Sequence, residues 1–366
     1  MTASVDRSRR LGQRSTQSGV NRRFRWDFVP TYIGLALLLP PTVVGDEPIL
    51  AQAKLITPEA NKSIQRGLAY LAQRQLEDGS FGTSGNGRNV AVVGLAGMAF
   101  LASGSTPGRG EYGENLDRSI DFLLENTSES GLIAAPEGAA RGPMYGHGFA
   151  ALFLCEVHGM TDRPSMRDSI ARAIDLIVAS QNREGGWRYE PQPRDADVSV
   201  TVCQVMALRA ARNAGIAVPR ETVDRSIDYV KRCQNADGGF RYMLSQGPKD
   251  SGFARTAAGV VALYNAGLYD APEIAAGLQY LAQHVPGKDN AQQEAYYFYG
   301  HYYAAQAMWH AGGQRWNSWY PAIREQLLAR QRDDGSWIDP VAPEYGTAMA
   351  CIILQTPNNY LPILQR

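Results

Sequence analysis

Apolar residues recur along the chain at three- and four-residue spacing, as in Ile64, Leu68 and Leu71 or Ile170, Ile174 and Ile177. That period predicts amphipathic helices with one face toward a core. Between them lie segments that are apolar on nearly every side, at 90–101, 148–157, 198–211, 254–266, 300–311 and 347–354. A helix apolar all round is a buried helix. No segment carries the two-residue alternation of a half-buried strand, so the chain is expected to be all-α. Twelve helices in more-polar and more-apolar pairs predict two concentric layers, with the apolar members inside.

The pairs are copies of one unit. The pattern Gln-x-x-x-Gly-x-(Phe or Trp) occurs at Gln75…Gly79-Ser80-Phe81, Gln181…Gly185-Gly186-Trp187, Gln234…Gly238-Gly239-Phe240 and Gln331…Gly335-Ser336-Trp337. A degraded copy, Gln283 to Gly287, lacks the aromatic, and 126–132 keeps only the outline. The starts are about fifty residues apart, a repeat-protein period. In each copy the Gln closes the first helix and glycine makes a tight turn, since it accepts positive φ without a Cβ clash. The second, apolar helix then follows. Six units with no polar capping repeat favour closure into an (α/α)6 barrel, or toroid, and an open solenoid is the alternative.

Composition changes this picture mainly at the N-terminus. Net charge is +0 over 366 residues, which gives no reason to expect nucleic acid as a partner. The first 25 residues nevertheless hold seven arginines and a single acid, Asp6. An apolar stretch at 28–44 follows, its uninterrupted part too short to span a bilayer. With Ala51-Gln52-Ala53 beyond it, residues 1–53 read as a targeting segment with a signal-peptide pattern. A single barrel domain would then occupy 54–366, in an exported protein, periplasmic or extracellular. A basic tail making peripheral membrane contact is the alternative. The four cysteines, Cys155, Cys203, Cys233 and Cys351, fall in helical patterns and are expected as buried thiols, with a Cys203–Cys233 disulfide as the alternative.

The Gln–aromatic motif resembles the QW repeat of squalene–hopene cyclases and of protein prenyltransferase β-subunits, the terpenoid cyclase toroids. The resemblance covers 57–363. It implies a six-repeat barrel whose inner-helix starts surround a central hollow. In the repeat itself, the Gln amide is expected to clamp free backbone groups at helix ends.

Three segments fall at that mouth. Asp195-Ala196-Asp197-Val198-Ser199-Val200-Thr201 opens the third inner helix. It resembles the Asp-x-Asp-Asp-Thr-Ala motif of squalene–hopene cyclases, in which the middle Asp protonates an alkene. That implies Asp197, or Asp195, as the acid; in a second alignment Ser199 takes the acid's place. Read from the residues alone, Asp197 followed by Ser199 is N-cap chemistry. The second segment, Tyr296-Tyr297-Phe298-Tyr299-Gly300-His301-Tyr302-Tyr303, holds six aromatics in eight residues. Such rings can hold a flat apolar ligand or a carbocation, or can pack as core. It resembles the prenyltransferase stretch whose zinc-binding His would map to His301. The required Asp-x-Cys is replaced by Asp250-Ser251-Gly252, so no metal is expected. The third set is scattered: Tyr145, His147, Arg255 and Tyr345.

Two functions follow. One is a terpenoid cyclase-like, isomerase-type enzyme acting on a polyprenoid, with Asp197 or Asp195 as acid and Tyr145, His147, Ser199, Arg255, Tyr297, Tyr299, His301 and Tyr302 on the ligand. The other is a non-enzymatic exported barrel that binds an apolar small molecule or a protein partner. Neither calls for a cofactor.

Overall fold

The computed structural model describes residues 55–82, 88–135, 142–247, 249–287 and 296–365. The targeting segment expected at 1–53 lies outside them. Twelve α-helices run through the described residues: α1 (Pro58–Arg74), α2 (Val90–Ala102), α3 (Gly113–Glu125), α4 (Met144–Val157), α5 (Met166–Ala179), α6 (Val198–Asn213), α7 (Arg220–Arg232), α8 (Phe253–Asn265), α9 (Pro272–Ala282), α10 (Tyr297–Ala311), α11 (Gly313–Arg330) and α12 (Pro343–Gln355). None of the described helices is long and apolar enough to cross a membrane.

Local sequence sets each type of helix. Thr57 caps α1 by accepting the Ala60 N–H at 3.2 Å, Pro58 opens its first turn, and Arg74 meets the negative end of its dipole. In α7 only Thr222, Ser226, Tyr229 and Val230 are buried, a single stripe. In α2 every residue is buried, so it lies inside. The same division holds throughout, with odd-numbered helices outside and even-numbered helices inside. The inner helices close on themselves: α2 packs on α4, α4 on α6, α6 on α8, α8 on α10, α10 on α12, and α12 back on α2. That closure excludes the open solenoid and gives the expected (α/α)6 toroid.

The repeated glutamines stitch the outer layer. Each Nε2 donates to the glycine carbonyl of its own turn and to a carbonyl in the first two turns of the next outer helix. Gln75 reaches Asn115, Gln181 reaches Thr222 and Gln234 reaches Glu273, at 2.7–3.1 Å. Gln331 reaches Ser63 at 2.9 Å, so the last repeat is fastened to the first. The motif aromatics hold the layers together. Trp187 and Trp337 donate their indole N–H to Ile177 and Leu327, at 2.7 and 2.8 Å. The backbone N–H groups of Trp187, Phe240 and Trp337 donate to the hydroxyls of Thr201, Thr256 and Thr347, each in the first turns of an inner helix. Thr201 thus has a repeat-wide structural partner. All four cysteines are free and buried, so Cys203 and Cys233 form no disulfide.

The C-terminal tail packs under the other end of the ring, against α6 and α10. Trp309 donates to the Leu364 carbonyl at 3.1 Å, and the buried Glu156 accepts the Ile363 N–H at 3.0 Å. Burial raises the Glu156 carboxyl to about 7, with the Ile363 bond and Arg209 pulling the other way. A carboxyl that holds its proton more tightly folded than unfolded contributes stability that is full below the unfolded value. That stability is lost as pH rises through about 7. Glu156→Gln keeps the acceptor and removes the titration. Relative to the variant, the native chain is expected to lose up to about 3 kcal/mol between pH 4.5 and 8, measured by denaturant unfolding across that range. A constant difference would show that folding leaves the hold of the Glu156 carboxyl on its proton unchanged.

Candidate functional site at the mouth of the inner ring

The first turns of the inner helices meet at one end of the ring. Gly146 of α4 lies against Val90 of α2, and Gly300 of α10 against Phe253 and Ala254 of α8. In both places a side chain in place of hydrogen would touch the neighbouring helix. Backbone bonds from the loops tie the starts down further. The Met144 N–H donates to the Tyr189 carbonyl, and the Val198 N–H to the Tyr242 carbonyl.

Asp197 is fully buried at the start of α6. Its backbone N–H donates to the Trp187 carbonyl, and its Oδ1 accepts the Val200 N–H at 2.8 Å, the N-cap bond. Its Oδ2 accepts from Arg188 Nη1, also at 2.8 Å. Asp195 stands 3.5 Å from Arg188 Nε. The same guanidinium donates to the Tyr242 hydroxyl at 2.9 Å and lies over the Tyr189 ring, 4.3 Å from its centroid. The Tyr189 and Tyr242 hydroxyls are 2.5 Å apart. Burial raises the Asp197 carboxyl above the usual carboxylate range, although the Val200 and Arg188 bonds pull it down. Burial lowers the Arg188 guanidinium, but its bond to Asp197 and the charge there more than offset this and hold it above its ordinary value.

Tyrosines from α4, α10 and α12 complete the wall. Tyr145 and Tyr299 keep accessible surface, and Tyr345 is 8% exposed. The Tyr299 hydroxyl donates to the Ser199 carbonyl at 3.0 Å, from α10 to α6. One turn deeper, the Tyr303 hydroxyl meets Cys203 Sγ at 3.2 Å. Tyr302 packs edge-on to Phe149 of α4, 6.1 Å between centroids, although α4 and α10 are not neighbours in the ring. These side chains span the centre, and Tyr302 and Tyr303 are buried, so they form an aromatic floor beneath the mouth. Burial raises the phenols of Tyr145, Tyr299, Tyr302, Tyr303 and Tyr345, and pushes the Cys203 thiol up to about 12. At neutral pH the mouth therefore presents neutral hydroxyls above an unreactive, buried thiol.

Of the residues expected at the mouth, Asp195, Asp197, Ser199, Tyr145, Tyr299, Tyr302 and Tyr345 gather here. His147 does not: it lies between the layers, where Nδ1 accepts the Ile133 N–H and Nε2 faces the Ala173 carbonyl, each at 3.1 Å. Burial pushes it down to about 4. Tyr297 and His301 also turn outward. Tyr297 donates to Gln326 of α11, and His301 sits among the rings of Phe253, Tyr297 and Trp319. His301 is likewise pushed down by burial, to about 3. Among the described residues, no group of three His, Cys, Asp or Glu gathers to hold a metal. Arg255 pairs with the exposed Asp250 at 3.0 Å, on the loop side. Arg188, Tyr189 and Tyr242 were not expected at the site, although the repeat offers a signal for them. They stand one or two residues after a motif aromatic, the register at which the loop carbonyls tie down the inner helices. Elsewhere, a surface depression of about 490 Å³ is lined by Arg183, Glu184, Glu221, Asp224 and Arg225 among other charged groups, which suits no apolar ligand.

The chain is thus a closed (α/α)6 toroid with a buried acid and tyrosines at one mouth. Residues 153–303 match the family model of the squalene-hopene cyclase C-terminal domain. The chain is 26% identical over 182 residues to a drimenyl diphosphate synthase of Streptomyces showdoensis, covering 49% of this chain and 32% of that protein. It thus spans about a third of the length of that curated relative. Among solved structures it is similar to the type II terpene cyclase MstE from Scytonema. The TM-score is 0.61 at 14% identity, covering 83% of this chain and 100% of that one. MstE has also been captured with geranylgeranyl dihydroxybenzoate as substrate and merosterolic acid A as product. A cellobiose 2-epimerase from Spirochaeta thermophila superposes equally well, with a TM-score of 0.61 at 14% identity, covering 87% of this chain and 99% of that one. At such identities the structural likeness shows the fold alone. The family match and the sequence relative support the terpenoid cyclase superfamily for this chain.

Proposed function

We propose that this cyclase-like barrel, in an exported protein, binds an apolar prenyl-type ligand over the aromatic floor at the mouth of its inner ring. One observation carries the reading: Tyr145 of α4 and Tyr299 of α10 converge near the buried Asp197, and Tyr345 of α12 near Tyr302 and Cys203 of the same aromatic floor. Aromatic faces bind an isoprenoid chain by area and by contact with its double bonds. The prenylated substrate and product held by the Scytonema cyclase are ligands of the same chemistry.

A second reading, cyclisation with Asp197 as proton donor, is favoured by the upward shift of its carboxyl, since only the protonated acid can donate. Against it, both carboxylate oxygens already accept short bonds from Val200 and Arg188, which favour the anion. The test is to incubate the full chain with geranylgeraniol. Binding is followed by quenching of tryptophan fluorescence and products by mass spectrometry. Binding of the native chain without a cyclised product is the expected result. A cyclised product that disappears in Asp197→Asn would transfer the assignment to the enzyme, and absence of binding would remove the proposal.

A further inference from the structure

Accepting that reading, we propose that the ligand is an electrically neutral isoprenoid carrying a hydroxyl or carbonyl oxygen, received by the phenols of Tyr145 and Tyr345, and not a prenyl diphosphate. The two phenols differ from those around them. Tyr299 and Tyr303 are engaged with Ser199 and Cys203. Among the described residues, Tyr145 and Tyr345 hydrogen-bond to no protein atom, yet neither hydroxyl is sealed from accessible space. A phenol held more than nine-tenths buried, as Tyr345 is, leaves hydrogen-bonding capacity unused unless a ligand or water takes it. The two stand on α4 and α12, in the first turns that form the rim.

Charge selects against the diphosphate. The cation at the wall, Arg188, is taken up by Asp197 and Asp195. Arg88 pairs with Asp78, and Arg255 with Asp250. Arg241, whose Nε is buried without a hydrogen bond among the described residues, lies close enough to Cys233 at the end of α7 to act on its thiol, and Arg194 and Lys249 are exposed on the loops, where solvent and salt screen them. The carboxyl of Asp339 stands near Tyr345, and burial raises it. A diphosphate placed here would meet Asp197 and Asp339, while the guanidinium beside them among the described residues, Arg188, is already held by carboxylates, and moving such an anion out of water is costly. A single neutral oxygen needs only a donor or an acceptor, and a neutral phenol offers both.

The experiment compares geranylgeraniol, geranylgeranyl diphosphate and the hydrocarbon squalene on the full-length chain, with affinities taken from fluorescence quenching. The alcohol is expected to bind at least about tenfold tighter than the diphosphate. Tyr345→Phe, and separately Tyr145→Phe, should each weaken the alcohol about three- to tenfold while leaving squalene within about twofold. These substitutions keep the ring, so unchanged thermal melting confirms the fold. A diphosphate that binds as tightly as the alcohol would overturn the inference, as would Phe variants that weaken alcohol and hydrocarbon alike. If none of the three probes binds, the binding function itself falls, an outcome distinct from the other two.

Discussion

Replacing Arg188 by methionine is expected to cost about 3–5 kcal/mol of stability, the loss typical of breaking a buried ion pair from one side. The magnitude follows from what is left behind. Asp197 is wholly buried, and without the guanidinium its Oδ2 has lost a charge-assisted bond, while the neutral donors Val200 N–H and the Tyr242 hydroxyl remain. The Tyr242 hydroxyl loses its Arg188 donor as well. Asp197→Asn should cost less, about 1 kcal/mol, because asparagine is an equally good N-cap and needs no counter-charge. The double variant should therefore lose much less than the sum of the single losses, a coupling measurable by urea unfolding of all four proteins. In Arg188→Met the deficit should also shrink on acidification. With the guanidinium gone, burial acts on Asp197 with less opposition, so its folded value rises further above the unfolded one. Stability is then full at low pH and is lost as pH climbs through the folded value. A loss below about 1 kcal/mol would mean that water reaches Asp197 and that the pair behaves as a surface one.

The contrast between His301 and Tyr299 shows how far the sequence could be read. The repeat was legible because its parts are local: a glutamine, a glycine forced to positive φ, and an aromatic. Each recurs often enough to give the period and hence the double ring. Which face of an inner helix points to the centre was not legible, since at 100° per residue an error of one or two positions turns a side chain away. Residues 299 and 303 face α6, whereas 297 and 301 face the outer layer, and all four belong to one aromatic run. The starts of the inner helices compounded this. Helix α10 was expected from 300 and begins at Tyr297, and α4 was expected from 148 and begins at Met144, so residues assigned to loops lie within first turns. His147 is a further case: its ring closes a bridge from Ile133 to Ala173 across the layers, a tertiary bond with no sequence signature. Asp197 was legible as a cap from its neighbours. Its ion pair with Arg188 was not, because the partners are brought together by the bridge between Trp187 and Asp197.

The seam between the last repeat and the first supplies the sharpest test of closure. Gly335→Ala is expected to cost about 3 kcal/mol or more, through strain and overpacking together. Gly335 has φ +90°, and a Cβ there would lie 2.6 Å from the carbonyl oxygen of Arg66 on α1. Backbone cannot rotate away as a side chain can, so α1 must shift. Three sets of bonds resist that shift. Gln331 donates to the Ser63 carbonyl, the Ser63 hydroxyl donates to Gln331, and Arg66 donates to the carbonyls of Arg332 and Asp333 at 2.6 and 2.8 Å. Gly215→Ala provides the control. It has φ +73° with nothing within 4 Å, so its alanine variant meets only the left-handed backbone penalty, about 1 kcal/mol. Denaturant unfolding of the two variants separates the terms: the excess loss at Gly335 measures the tightness of the contact that shuts the ring. Equal losses would mean that the terminal repeats part easily there, and that α1 is held by its packing on α12 and not by the turn.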